Sequence, residues 1–220
     1  NYIEIPNKKI RNAPKVGIVN GLAVHGANIG VLMEIEATAK KVNKRFGNLK
    51  ISGIVEEEEI STSNRKIKRK STAYSSIQNV LTVLNNIFDL DCESYDIHVN
   101  IPGGVPVDGP SAGITITTAI YSAINNREVD NLVAMTGEVS LIGEVKAIGG
   151  VNAKIKAAQK AGAKKVIIPR ENWNDSFLYI KGIKVVPVNN IKEVLKEVII
   201  DYKVDNKILS GSLDILTAKG

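Results

Sequence analysis

The sequence predicts a mixed α/β protein. Short strand-like runs alternate with longer runs whose apolar residues recur at helical spacing. Turn residues, mainly glycine, proline and asparagine, punctuate the boundaries between them. The 220 residues suffice for one large domain or two small ones. A hydrophobic fraction of 44% and a charged fraction of 24% are those of an ordinary folded protein.

Taken in order, residues 1–14 are polar and basic, with Pro6 and Pro14, and read as a linker or arm. Residues 16–24 read as a strand pair broken at Asn20-Gly21, a hairpin signal. Residues 26–30 read as a turn, and 31–39 and 49–55 as strands. An acidic run at 56–59 and a basic run at 65–70 read as a solvated loop and the exposed start of a helix. The competing reading is a loop that touches a neighbouring subunit or a substrate chain. Residues 71–88 form an amphipathic helix with Ile77, Val80, Leu81, Leu84 and Phe88 on one face. Residues 96–101 alternate as a strand, and 112–124 read as a long apolar helix. Two strands around a turn are expected over 131–148. A helix over 151–161 is launched by Gly149-Gly150 and stopped by Gly162. Short strands at 164–169 and 184–188 flank a polar insert with Trp173. A last helix, 190–199, is capped by Asn189 or Asn190. Residues 201–220 carry no strong pattern, and there is no internal repeat or low-complexity segment.

Composition narrows the function classes. The net charge of +6 admits nucleic acid as a partner, but the bases are spread out and aromatics are only 5%, a poor supply of stacking platforms. One cysteine, Cys92, leaves no internal disulfide and suits a reducing compartment. No apolar run approaches the ~20 residues of a membrane span, and no signal peptide opens the chain. A chain that begins at Asn1 reads as a fragment of something longer. There is no Walker A loop, and no HExxH, CxxC or paired-histidine spacing for a metal.

The chemistry concentrates in Pro106-Val107-Asp108-Gly109-Pro110-Ser111-Ala112-Gly113, between a strand and an apolar helix. Pro110 suits the first helical position, which places Ser111 in the first turn among outward-pointing N–H groups. A hydroxyl there could attack a carbonyl, with donors nearby for the oxyanion. The second signal is Lys154. On a helical projection it falls in the middle of the apolar face made by Val151, Ile155, Ala157, Ala158 and Ala161, opposite Lys156 and Lys160. Either the side chain snorkels out or pairs with a buried carboxylate, or burial favours a neutral amine able to act as a base. A Ser-His-Asp triad finds little support. His25 lies in a glycine-flanked turn, and His98 points away from its strand's apolar face. Elimination leaves Ser111 with Lys154 as the best nucleophile–base pair.

These residues carry a resemblance. The run from Pro106 to Gly113, then Met135-Thr136-Gly137-Glu138, then Ile148-Gly149-Gly150 followed by Lys154, closely resembles the proteolytic domain of Lon, the ATP-dependent protease. Val16-Gly17, Gly21-Leu22-Ala23, the Val166 to Pro169 run and Val186-Pro187-Val188 fit its opening and closing strands. The likeness covers residues 15–200, with 1–14 as an arm from a missing ATPase module and 201–220 as a tail. The 31–39 strand and the Val105-Pro-Val-Asp-Gly variant look closer to the archaeal, membrane-anchored group.

The resemblance implies an α/β (α+β) fold of small mixed sheets with crossing helices, akin to ribosomal-protein β-α-β units. It implies an ATP-dependent serine endopeptidase acting on unfolded or damaged proteins through a Ser111–Lys154 dyad. Ser111 and Lys154 stand 43 positions apart, as the family's serine and lysine do. Thr136 stands where a threonine orients the lysine amine. Asp108 stands at an acidic position whose pairing with Lys154 would hold the enzyme off. The resemblance further implies a hexameric ring and no cofactor in this domain, with ATP and Mg²⁺ bound by the ATPase module. It implies a cytoplasmic location, with attachment to the cytoplasmic face of a membrane through another part of the protein left open. Two rivals stand beside it: a non-catalytic assembly domain of the same fold, and a basic nucleic-acid-binding module.

Overall fold

A computed structural model describes residues 8–25, 29–43, 46–53, 57–62, 65–70, 72–101 and 109–202. The strands are β1 (Lys15–Val16), β2 (Ile18–His25), β3 (Ile29–Lys41), β4 (Leu49–Ser52), β5 (Glu57–Thr62), β6 (Arg65–Lys70), β7 (Tyr95–Asn100), β8 (Glu128–Val129), β9 (Val133–Met135), β10 (Glu138–Val139), β11 (Val145–Lys146), β12 (Lys165–Pro169) and β13 (Lys184–Val188). The helices are α1 (Thr72–Phe88), α2 (Gly113–Asn125), α3 (Val151–Ala161) and α4 (Ile191–Val198).

The architecture is the expected mixed α/β one. A seven-stranded sheet runs in the order β13-β12-β9-β2-β3-β7-β4. The strands from β13 to β2 are mutually parallel, β3 is antiparallel to both β2 and β7, and β4 is parallel to β7. Both faces of the sheet are covered where the parallel strands lie, as such strands require. One face packs on α1, α2 and α4 through Ile77, Leu84, Ile116, Ile120 and Leu195. The other packs on α3 through Leu22, Ala134, Ile155, Ala158 and Val166.

Several boundaries differ from the sequence reading. Asn20-Gly21 is not a hairpin turn but the middle of β2. Both residues are paired on both sides, with Glu34 and Met33 of β3 and with Ala134 and Met135 of β9. The Asn20 side chain donates to Asn131 O (2.9 Å) and Val133 O (3.1 Å), so it ties strands together. Gly30 lies inside β3, while 26–28 fall outside the described residues. The charged runs are not a loop and a helix start. They pair as an antiparallel ribbon, β5 with β6, in a register that sets Glu57, Glu58 and Glu59 opposite Lys70, Arg69 and Lys68. The ribbon joins two separate runs, a pairing invisible to a reading of each run by itself. The run 131–140 is interrupted at Thr136-Gly137, which leave the main sheet before β10 and β11 form a separate hairpin.

Residues 8–14 dock on the domain. Lys8 Nζ lies 2.6 Å from Glu34 Oε2, Arg11 also pairs with Glu34, and Ile10 N donates to Ala161 O (3.1 Å). Burial alone would push the Glu34 carboxyl up, but the bonds and charges of Lys8 and Arg11 outweigh it and hold its pKa below the ordinary value. No helix among the described residues is long and apolar enough to cross a membrane.

Candidate active site

The site lies where the two helical faces meet, at the carboxyl end of the parallel strand β9. In open α/β sheets this edge is where ligands bind. Ser111 arrives from the α2 side. It sits in a 3-10 turn, Gly109–Ala112, that precedes α2, and not in the first turn of the α-helix itself. Lys154 arrives from the α3 side. Thr136, the first residue beyond β9, stands between them.

The hydrogen bonds join all three. Lys154 Nζ donates to Thr136 Oγ1 (3.2 Å), and Thr136 Oγ1 donates to Ser111 O (3.2 Å). Gly137 N donates to the same Ser111 carbonyl (2.9 Å), and Ile114 N donates back to Gly137 O (3.1 Å). Thr136 N is held by Ile167 O of β12 (3.1 Å). The serine turn is therefore fastened to the end of β9 by backbone bonds, and the lysine to the same point by its amine. Burial is nearly complete: Ser111 and Lys154 are 1% exposed and Thr136 is 0%. The expected apolar face of α3 is observed, with Ile155, Ala157, Ala158 and Ala161 buried beside Lys154, while Lys156 and Lys160 are exposed.

Local sequence explains the placement. Gly150 caps α3 at φ 68°, a left-handed conformation that glycine adopts without cost. The chain thus turns sharply enough to begin α3 directly after the β10–β11 hairpin. Gly162 ends the helix at φ 96°. Eleven residues separate these ends, and that short rod fixes the azimuth of Lys154.

Of the four site residues expected from sequence, the structure brings Ser111, Thr136 and Lys154 together. Asp108 lies outside the described residues. His98 Nε2 is 3.0 Å from Ser52 Oγ on β4, and His25 ends β2 with a buried Nδ1 that has no hydrogen-bond partner among the described residues. No group of three or more His, Cys, Asp or Glu among the described residues is placed to hold a metal ion. Sequence reasoning missed Gly137, whose N–H holds Ser111. Its position beside Thr136 in a turn-like Thr-Gly pair was the available signal.

Comparison with known proteins identifies the family. The profile described as the Lon protease (S16) C-terminal proteolytic domain matches residues 4–201. Lon protease 2 of Bacillus subtilis (strain 168) is 50% identical over 200 residues, covering 91% of this chain and 36% of that protein. The archaeal Lon protease of Archaeoglobus fulgidus is 38% identical over 201 residues, covering 89% of this chain and 30% of that protein. The Lon protease of Clostridioides difficile (strain 630) is 37% identical over 193 residues, covering 86% and 22%. The sequence looked closer to the archaeal group; archaeal Lon proteases are among the relatives, but a bacterial one shares the higher identity, 50% against 38%. The chain spans about a third or less of the length of these relatives. With a match that runs from the docked arm past α4 and includes every residue of the candidate site, the chain belongs to the Lon protease (S16) C-terminal proteolytic domain family.

Proposed function

We propose that this chain is the proteolytic part of an ATP-dependent serine endopeptidase, cleaving unfolded polypeptides through a Ser111–Lys154 dyad. The observation that carries this reading is the buried Lys154 amine, bonded to Thr136, which in turn bonds the Ser111 backbone. An amine taken out of water loses the hydration of its charged form, which favours the neutral base.

Neutral Lys154 takes the Ser111 hydroxyl proton as Oγ attacks the scissile carbonyl carbon. The carbonyl π electrons move to oxygen, and backbone N–H groups of the serine turn stabilise the oxyanion. Collapse of the tetrahedral intermediate breaks the C–N bond while the Lys154 ammonium gives its proton to the leaving amine. Water then attacks the acyl-enzyme, with Lys154 again the base. Asp108, by pairing with the ammonium, would hold the lysine protonated and the enzyme inactive.

On this reading the 1–14 arm joins 15–200 to an ATPase module of the full-length chain, and 201–220 is a tail. That module binds ATP and Mg²⁺, the assembly is a six-membered ring, and the proteolytic domain itself uses no cofactor. The location is cytoplasmic, with any membrane attachment made by another part of the protein.

The test is hydrolysis of an unfolded protein by wild type, Ser111→Ala and Lys154→Ala, with the ATPase module supplied. Either variant should lose at least about a thousandfold in kcat/KM with folding intact by circular dichroism. Full activity in either would sink the dyad. Asp108→Asn should raise the activity of the isolated chain, and a chelator added without ATP should leave short-peptide hydrolysis unchanged.

A further inference from the structure

Residues 8–11 continue the layer that α3 forms over the sheet. Along β3, Gly30, Leu32 and Glu34 alternate onto one face. Gly30 meets α3 so closely that a Cβ there would lie 2.1 Å from the Ala153 carbonyl oxygen, and Leu32 belongs to the buried cluster around α3. Further along the strand, Glu34 takes Lys8 and Arg11 instead. The same segment holds the far end of α3. Ala161 O is one of the last four carbonyls of the helix, which have no partner within it, and Ile10 N donates to it (3.1 Å). The Ile10 side chain lies against the Gly162 cap, where a Cβ would meet its Cγ1 at 3.7 Å. It packs on the cluster that contains Ile155, Ala158 and Val166.

A third hold reaches β9. Arg11 O accepts from Asn131 Nδ2 (2.6 Å), and Asn131 O accepts from Asn20 Nδ2 (2.9 Å). Asn131 stands two residues before β9, and Thr136 directly follows that strand. The segment is therefore tied to both elements that make the Lys154–Thr136 bond of 3.2 Å. Burial of Ile155, Ala158 and Ala161 keeps α3 on the sheet, but burial is non-directional. The angle of the helix is left to directional contacts: the Gly30 fit near its start and the Ile10 hydrogen bond at its end. Ala153 adjoins Lys154, so a turn of α3 about the Gly30 contact leaves the lysine backbone nearly in place and swings its four-carbon stem.

We propose that residues 8–11 are a positioning strap for Lys154: by fixing the end of α3 against β3 and the approach to β9, they set the reach of its amine to Thr136. The proposal rests on the dyad reading above and deepens it by naming how the site is controlled. Ile10 and Arg11 act through α3 and Asn131, not on the reacting atoms. The leverage is large, because a misplacement of about 1 Å at a catalytic group costs up to about a hundredfold in rate. On the same reading the arm joins an ATPase module, so movement of that module reaches Lys154 through the strap.

The test uses the 220-residue chain and the rate at which a fluorophosphonate labels Ser111, read by intact mass across a range of pH. Labelling joins phosphorus to Oγ, expels fluoride and passes the hydroxyl proton to Lys154, so its pH midpoint reports that amine. Ile10→Asn keeps the N–H and removes the apolar contact. Arg11→Ala removes the Arg11 ion pairs and leaves Glu34 with Lys8. Each should slow labelling by about tenfold or more and displace its pH midpoint, with the circular dichroism spectrum unchanged. Ile10→Val should restore both. An unchanged rate and midpoint in folded Arg11→Ala would overturn the proposal, even if Ile10→Asn failed to fold. A rate that falls only with the folded fraction, at a fixed midpoint, would also overturn it, since the arm would then be a tie for the fold alone. Labelling of Lys154→Ala as fast as wild type would overturn the dyad reading itself, whatever the arm variants do.

Discussion

Lys154 is the largest of the fully buried side chains among the described residues, at 1% exposure. A buried ammonium carries a large desolvation cost, so this residue departs from what the core around it would select. In the proposed mechanism its bond to Thr136 gives the threonine a positioning role, because the same hydroxyl also reaches the Ser111 carbonyl. Thr136→Val keeps the shape and removes the hydroxyl. It should lower kcat by about 10- to 100-fold and cost about 1–2 kcal/mol of stability. It should also displace the pH midpoint of kcat/KM, which a residue with a purely structural role would not move, and Thr136→Ser should restore both. An unaltered pH profile in the valine variant would remove Thr136 from the mechanism. The residue types at the site were legible from the chain alone. The Gly137 contact to Ser111 was not, because it depends on where β9 stops relative to the serine turn.

Placement of the lysine is a property of elements, since α3 must approach β3 very closely. A Cβ built on Gly30 would lie 2.1 Å from the Ala153 carbonyl oxygen, so only glycine permits this spacing. Gly30→Ala should push α3 away from the sheet and cost about 1–3 kcal/mol, read from the midpoint of urea unfolding. Ala153 immediately precedes Lys154, so activity should fall by more than the loss of folded protein explains. Activity that merely tracks the folded fraction would show that α3 tolerates the shift. Boundaries read from the local pattern served well here: helix α3 and strand β13 begin and end where their patterns do. The β5–β6 ribbon was misread because charge runs carry no period, and because the pairing that stabilises it joins two runs that each look solvated. The Asn20-Gly21 turn signal was real as a local preference. It was overridden by strands on both sides, whose hydrogen bonds exceed what a two-residue turn offers.

Across the whole molecule the N-terminal arm closes on the sheet through Glu34, which is 5% exposed yet paired with Lys8 and Arg11. A carboxyl whose folded pKa is depressed contributes stability above its unfolded value, and loses that contribution as pH falls through the folded value. Glu34→Gln should therefore lower Tm at about pH 7, by an amount equivalent to roughly 1–2 kcal/mol with two half-exposed partners. The difference between variant and wild type should shrink as pH falls through the depressed folded pKa of Glu34, below which both lack the charge. A difference independent of pH would mean that packing, not the ion pairs, seats the arm. By itself the sequence determined the family, the alternating α and β elements and the identity of Ser111, Thr136 and Lys154. The elements are written in local periodicity, and the family and the three candidate residues in motifs that resemble the Lon proteolytic domain. Only the tertiary structure decided that Thr136 joins lysine to serine and that Glu34 receives the arm. Those contacts join segments distant along the chain, and they arise only when the sheet order sets which ends and edges meet.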